Sequence, residues 1–223
     1  MLFTHIGVQP IPGITSKDTP RGRFYTTPDK NIYPSITTIL GQLEKPAVLE
    51  WRSSLGNKKA DAETKRAADR GTAVHEMIEK YINNDANPTH GYDSLHIRDF
   101  LSVKLHLNKI NNVLCQEIPL YSDFLKVAGR VDCIGEFKGK LCIIDFKTST
   151  GNKTKEMIHD YFLQTTAYAV MFQELYDIQI DDIIIIMSVE KGAVPLLFKE
   201  KVDHWIEPLC KRINMFHTTN KKV

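Results

Sequence analysis

The stretch VLCQEIPLYSDFLKVAGRVDCIGEFKGKLCIIDFKTS, Val113 to Ser149, decides the fold. It holds three apolar runs rich in β-branched residues: Val113 to Tyr121, Phe124 to Phe137 and Lys140 to Phe146. Lys138-Gly139 separates the last two at a tight hairpin position, so the stretch reads as a three-strand meander. Asp132 ends Val127-Ala128-Gly129-Arg130-Val131-Asp132, where Gly129 marks a bulge or a close backbone approach just before the carboxylate. Ile143-Ile144-Asp145-Phe146-Lys147-Thr148-Ser149 follows, and hairpin-linked strands bring the two aspartates to one end of the sheet. Asp145 and Lys147 share a face because strand side chains alternate.

Upstream, residues 1–34 carry five prolines and read as an irregular arm or small hairpin, with Arg21-Gly22-Arg23-Phe24-Tyr25 its basic and aromatic part. Ser35 sits at an N-cap position ahead of Ile36, Ile39, Leu40 and Leu43 at helical spacing. Ala47 to about Asn83 favours helix, with breaks expected at Gly56 and Gly71. Val74, Ile78, Tyr81 and Ile82 form an apolar stripe there, with His75 and Glu79 one turn apart beside it. Asn83 to Asp93 reads as a loop and Leu95 to Lys109 as a helix.

Downstream, a helical pattern runs from Thr154 to about Tyr176, and Ile183 to Val189 is a nearly continuous apolar run that reads as a buried strand. Ala193 to Phe198 reads as a short strand and Asp203 opens a terminal helix. The order predicts an α/β (α+β) class with a mixed sheet flanked by helices. The expected organisation is an arm, 1–34, and one domain, 35–223, divided into a helical region, 35–111, and a sheet core with C-terminal helix, 112–223.

Composition narrows the classes. The longest aliphatic run, Ile183 to Met187, is far below the roughly 18 apolar residues of a membrane span, so a soluble protein without membrane partners is expected. MLFTHIGVQPIPG resembles neither a secretory signal nor an Arg-rich transit peptide, which points to the cytoplasm of a bacterial or phage-infected cell rather than a mitochondrion. Cys115, Cys133, Cys142 and Cys210 fit neither a zinc pair nor a disulfide scaffold and read as reduced thiols. The net charge of +2, from 29 basic and 27 acidic residues, is too small to imply nucleic-acid binding; any such affinity must come from local clustering.

Two carboxylates at one spot repel, and burying them is costly unless a cation compensates. Carboxylates, a backbone carbonyl and water suit Mg²⁺ or Mn²⁺, one ion or two, with the Phe146 carbonyl as the third protein ligand. A lysine beside such a metal has a task in phosphodiester hydrolysis: its ammonium stabilises the pentavalent phosphate or positions the attacking water. Asp145-Phe146-Lys147 alone reads first as a surface salt bridge at a strand end.

The wider pattern is more specific. Arg70-Gly71-Thr72-Ala73-Val74-His75, Gly129-Arg130-Val131-Asp132, Ile143 to Ser149 and Gln164-Thr165-Thr166-Ala167-Tyr168-Ala169, in that order, resemble the RecB-like branch of the PD-(D/E)XK nuclease superfamily. Tyr33-Pro34-Ser35-Ile36-Thr37-Thr38-Ile39-Leu40 also resembles an N-terminal motif of exonucleases in it. The resemblance implies a restriction-endonuclease-like core with an added N-terminal helical region.

It further implies that Asp132 and Asp145 bind metal, that Lys147 is the catalytic lysine and that His75 is an additional metal ligand. Gln164 and Tyr168, four apart on one helix face, would support the site or hold the DNA strand; Glu117, recurrent in this branch, would support from behind the ligands. The cysteines do not match the branch's iron-sulfur pattern, so no cluster is expected.

For DNA, Lys58, Lys59, Lys65, Arg66 and Arg70 are candidates to neutralise phosphates along a strand channel, although interleaved Asp61, Glu63 and Asp69 fit a solvated face as well. Ser35, Thr37, Thr38 and Arg130 are candidate strand contacts, and Tyr33 and Trp51 candidate base-stacking residues. The leading expectation is an exonuclease acting on free ends of single-stranded DNA in replication, recombination or repair. A flap-type endonuclease and an inactive DNA-binding subunit are the alternatives.

Overall fold

A computed structural model of the chain describes residues 2–42, 46–192 and 194–220. Leu43 of the first helical pattern and Ala193 at the start of the short strand lie outside the described residues.

Of the two readings of the N-terminal stretch, an irregular arm or a small hairpin, the hairpin is the one formed, with a third strand added. β1 (Thr15–Thr19), β2 (Gly22–Thr26) and β3 (Ile32–Pro34) form a small antiparallel sheet. Its prolines fall outside the paired positions or at a strand end, where a missing N–H costs no ladder bond. Ser35 then caps α1 (Ile36–Gly41), its Oγ accepting from the Thr38 amide at 3.0 Å.

α2 (Pro46–Leu55) ends before Gly56, whose φ of +80° breaks the helix as expected. Gly71 does not break it. α3 runs unbroken from Asn57 to Ile82, because Arg70, Ala73, Val74 and Met77 are buried around the glycine and that packing outweighs a propensity cost of about 1 kcal/mol. A Cβ on Gly71 would lie 3.6 Å from Thr148 Oγ1, so the helix passes close to the sheet here. α4 (Ser94–Leu107) is capped by Asp93, whose carboxylate accepts from the Leu95 amide at 2.7 Å.

β4 (Ile110–Ser122), β5 (Val127–Phe137) and β6 (Lys140–Ser149) form the antiparallel meander. Lys138 and Gly139, at φ +54° and +76°, make the hairpin turn whose twist matches its strands. Phe124 is not in a strand. Lys126 at φ +54° and a Leu125 amide bonded to Ser122 Oγ turn the chain there, leaving Phe124 81% exposed.

After a 3₁₀ turn, Glu156–Ile158, α5 (His159–Tyr176) crosses over to β7 (Asp182–Val189), which pairs parallel to β6. β8 (Leu196–Lys201) and α6 (Asp203–Asn220) complete the chain. The five-stranded mixed sheet, ordered β4-β5-β6-β7-β8 and flanked by helices, is the arrangement expected of a restriction-endonuclease-like core.

The aliphatic run in β7 explains the layering. Ile183, Ile185 and Met187 pack on one face with Phe162, Leu163 and Phe172 of α5; Ile184 and Ile186 pack on the other with Val74 and Met77 of α3 and Phe100 of α4. A strand buried on both faces needs no polar alternation. Cys115, Cys133 and Cys142 are buried free thiols and Cys210 is half-buried. No described helix is long and apolar enough to cross a membrane.

Candidate active site

β5 and β6 stay paired from Phe137 and Lys140 to Cys133 and Ile144, then part. Asp132 fills the opening: its Oδ2 accepts from the Phe146 amide at 2.8 Å, replacing a ladder partner. The contact seen at Phe146 is thus made by its amide. The two aspartates reach the same end of the sheet, as the hairpin implied, because the strands splay immediately beyond the last pair.

Asp145 is 1% exposed and stands on the α5 face of β6 with Lys147 two residues on. Lys147 Nζ lies 2.5 Å from Asp145 Oδ2. This ion pair is the close polar contact of the Asp145 carboxylate, whose two oxygens are buried with no other hydrogen-bond partner among the described residues. Burial pushes the Asp145 carboxyl well above the usual carboxylate range; Lys147 pulls against that shift and Asp132 adds to it. For Lys147, burial acts to lower the pKa, yet the charges of Asp145 and Asp132 outweigh it and hold the ammonium protonated.

His75 reaches the same opening from α3, its Nδ1 3.7 Å from Asp132 Oδ2 and its ring edge-on to Phe146 at 6.2 Å. Glu117 arrives from β4. Its backbone sits at φ +51° inside a strand, a conformation costly for a residue with a Cβ, while the pairs on either side, Gln116 with Cys133 and Ile118 with Val131, keep their register. One ligand atom each from His75, Glu117 and Asp132 falls within 4.8 Å of the others. Burial first, then the charges of Asp132 and Glu79, push Glu117 up to about 7, with Arg130 opposing. Glu117 therefore stands among the candidate ligands rather than behind them.

The donor set, one imidazole and carboxylates, fits a divalent cation. The buried Asp145 carboxylate adds to this: the Lys147 ammonium is its one charged partner among the described residues, and with Asp132 close by a further cation would compensate the remaining negative charge. His75, Glu117, Asp132 and Asp145 are the residues that would hold it.

The centre opens into a cleft of about 640 Å³. Gly71, Thr72, His75, Glu76 and Glu79 of α3 line one wall; Ser16, Arg23 and Tyr25 of the small sheet and Ser35 and Thr37 of α1 line another. Glu117, Gly129, Arg130, Asp132, Gln164 and Tyr168 complete it. Gln164 Nε2 donates to Tyr168 Oη at 3.1 Å, both side chains being buried. Gly129 is the close approach its motif suggested, since a Cβ there would meet Tyr168 Cε1 at 2.6 Å. Arg130 is exposed at the cleft and makes no ion pair among the described residues.

Several expected DNA contacts are placed elsewhere. The Thr38 hydroxyl bonds the Arg23 backbone, accepting from its amide at 2.9 Å and donating to its carbonyl at 3.2 Å, and so ties α1 to β2. Arg70 is 3% exposed, with Nη1 2.5 Å from Glu190 Oε2 and Nε 3.7 Å from Asp99 Oδ2. It cannot reach a phosphate without leaving that burial. Arg66 is held by Glu63 and Glu190, and Lys65 pairs with Asp69 at 2.5 Å; neither lines the cleft. Lys58 and Lys59 are exposed outside the cleft. Tyr33 Oη donates to Asp123 at 2.5 Å, and Trp51 is 37% exposed on α2, away from the cleft lining.

The reading of the motifs missed the small sheet as a cleft wall. Arg23 and Tyr25 had stood out as a basic and aromatic segment and a small hairpin was one of the readings there, but no local signal showed its third strand or its place at the cleft. It also missed Thr72, Glu76 and Glu79 as lining residues; for Thr72 and Glu79 the one-turn spacing from His75 was the available signal.

Known proteins resemble this chain in sequence. Residues 97–194 match the family model of the PD-(D/E)XK nuclease superfamily. Mitochondrial genome maintenance exonuclease 1 of Mus musculus is 29% identical over 177 residues, covering 74% of this chain and 52% of the relative. The Homo sapiens protein of that name is 27% identical over 178 residues, covering 74% and 51%, and that of Xenopus tropicalis 29% over 180 residues, covering 72% and 49%. The chain spans about half the length of the curated relatives it matches. It is homologous to these exonucleases over about 74% of its own length, and its match to the PD-(D/E)XK nuclease superfamily spans the strands that carry Asp132, Asp145 and Lys147.

Proposed function

We propose that the chain is a metal-dependent deoxyribonuclease that hydrolyses phosphodiester bonds at free ends of single-stranded DNA, in replication, recombination or repair. The observation that carries the reading is the splayed end of β5 and β6, where His75, Glu117 and Asp132 converge at an open cleft and the buried Asp145–Lys147 pair lies on the neighbouring strand. Three carboxylates against one ammonium leave a negative centre that suits Mg²⁺ or Mn²⁺. A bound divalent ion supplies Lewis-acid polarisation of the phosphoryl oxygen and acidifies water.

The chain's own residues do the rest. Lys147 carries its positive charge beside the reacting phosphate, where negative charge grows in the transition state. Arg130, exposed at the cleft, faces an incoming phosphate as a free guanidinium, and the Thr37 hydroxyl offers a neutral hydrogen bond, whereas Ser35 is buried and its hydroxyl is engaged with the Thr38 amide and the Thr37 and Thr38 hydroxyls. Contacts of this kind read backbone rather than base edges, which fits an activity without sequence preference.

The test is incubation of end-labelled linear and circular single strands with Mg²⁺ or Mn²⁺. Degradation of the linear strand, abolished by EDTA and by Lys147→Ala, is the expected result. Equal cleavage of the circle replaces the exonuclease with an endonuclease using the same site. Activity that survives EDTA or Lys147→Ala removes the mechanism.

A further inference from the structure

The nuclease reading gives Lys147 a task but leaves open what aims its ammonium. A lysine carries four rotatable bonds and about 2 kcal/mol of rotamer entropy, so a single ion pair does not by itself fix the direction of its ammonium. Lys147 has a second neighbour. Its Nζ lies 5.0 Å from the ring centroid of Tyr161, on the first turn of α5, within the reach at which an aromatic face attracts a cation.

The placement of that ring is over-determined. Tyr161, Gln164 and Tyr168 fall at i, i+3 and i+7 on α5, so one helix face presents all three to the centre. The turn that carries Tyr161 is fixed to α6: Phe162 stacks on Trp205 with centroids 4.7 Å apart, and His159 meets the same indole edge-on at 4.9 Å. Thr165 Oγ1 also donates to the Tyr161 carbonyl at 2.9 Å. Lys147 is only 17% exposed, so little water competes for its charge.

We propose that Tyr161 is a positioning residue for the reaction, its ring face holding the Lys147 ammonium between the aromatic surface and Asp145. The proposal rests on the nuclease reading above. The ring contributes its negative face, so the hydroxyl is dispensable and Phe should serve. Loss of the ring frees Lys147 to sample orientations away from the phosphate while leaving the DNA contacts and the metal-binding carboxylates in place. The cost should therefore fall on kcat, not on KM.

Single-turnover cleavage of an end-labelled single strand tests this with wild type, Tyr161→Phe, Tyr161→Leu and position 161 carrying mono-, di- and trifluorophenylalanine. Fluorination drains the ring's negative face at nearly constant shape, so the series remains informative if the leucine variant fails to fold. The expected results are a rate within about twofold of wild type for Phe, a stepwise fall across the fluorinated series, and about a tenfold fall for Leu with KM unchanged. In the metal-free protein, the Lys147 Hε resonances should be shifted upfield by the ring in wild type and Tyr161→Phe, and return to ordinary values in Tyr161→Leu. A flat fluorination series in a protein that cleaves, or unshifted Hε resonances, overturns the role of Tyr161 alone. A wild-type chain that does not cleave overturns the nuclease reading and this inference with it.

Discussion

Two charged clusters flank the same stretch of α3 and treat charge in opposite ways. Around Arg70, the guanidinium meets Glu190 and Asp99, Arg66 meets Glu190 and Glu63, and Arg98 meets Asp99. The network closes on itself, clasping α3 and α4 to the end of β7. One turn further along, His75 faces Glu117 and Asp132, and Asp145 pairs with Lys147, the one ammonium paired there among the described residues. That cluster does not close. The difference lies in the balance of charge: in the first cluster each guanidinium has a carboxylate partner, although the Arg70 Nε–H makes no hydrogen bond, whereas in the second Lys147 is the single ammonium, among the described residues, set against three carboxylates.

The comparison can be broken in four places. The largest effect is expected at the open cluster. Lys147→Ala should lower kcat about 100- to 1000-fold with little change in DNA affinity, read by single-turnover cleavage and by strand binding. Equal losses of kcat and affinity would make Lys147 a binding residue.

The next belongs to the closed cluster. Arg70→Ala should destabilise the fold by about 3–5 kcal/mol in urea unfolding, since it leaves Glu190 and Asp99 in partly or fully buried positions without their cation. Leu in place of Arg, with Gln at 190 and Asn at 99, should recover much of that loss. A cost below about 1 kcal/mol would show the network to be ornamental.

The third effect is a pH dependence of stability. Glu117 is raised from an ordinary 4.5 to about 7, so the folded protein binds this proton more tightly than the unfolded chain does. Stability from this group is therefore present below about 4.5, falls as the pH rises through the window to about 7, and is level above it. Metal-free Glu117→Gln should gain in Tm relative to wild type between pH 5 and pH 8. A constant difference across that range would contradict the burial and crowding assigned to Glu117.

The smallest effect is expected where surface cations are already paired. Arg66→Ala and Lys65→Ala should change affinity for a single strand by less than about twofold, because both sit outside the cleft and in ion pairs. Arg130→Ala, in the same binding assay, should weaken it more than either.

What could be read from the residues follows from how local each signal was. The meander, the hairpin at Lys138-Gly139 and the doubly buried β7 depend on patterns within about ten residues, and alternation alone set Asp145 and Lys147 on one face. Arg70 was assigned to DNA from its neighbours in sequence, yet its partner Glu190 is 120 residues away. Gly71 resembled a breaker until the packing around it was known. Glu117 turned on a single positive φ, which swings a strand side chain into the centre and leaves no pattern in the sequence. The third strand of the small sheet likewise depends on partners that no local signal showed.

The central claim is that the splayed strand end is a divalent-metal site built by His75, Glu117, Asp132 and Asp145. Isothermal titration of Mn²⁺ into the metal-free protein tests it directly, with Asp132→Asn and Arg66→Ala as paired variants. Saturable binding to wild type and Arg66→Ala, lost or weakened at least tenfold in Asp132→Asn, is the predicted result. Binding of equal strength in Asp132→Asn, or no binding to a folded wild-type protein, would contradict it.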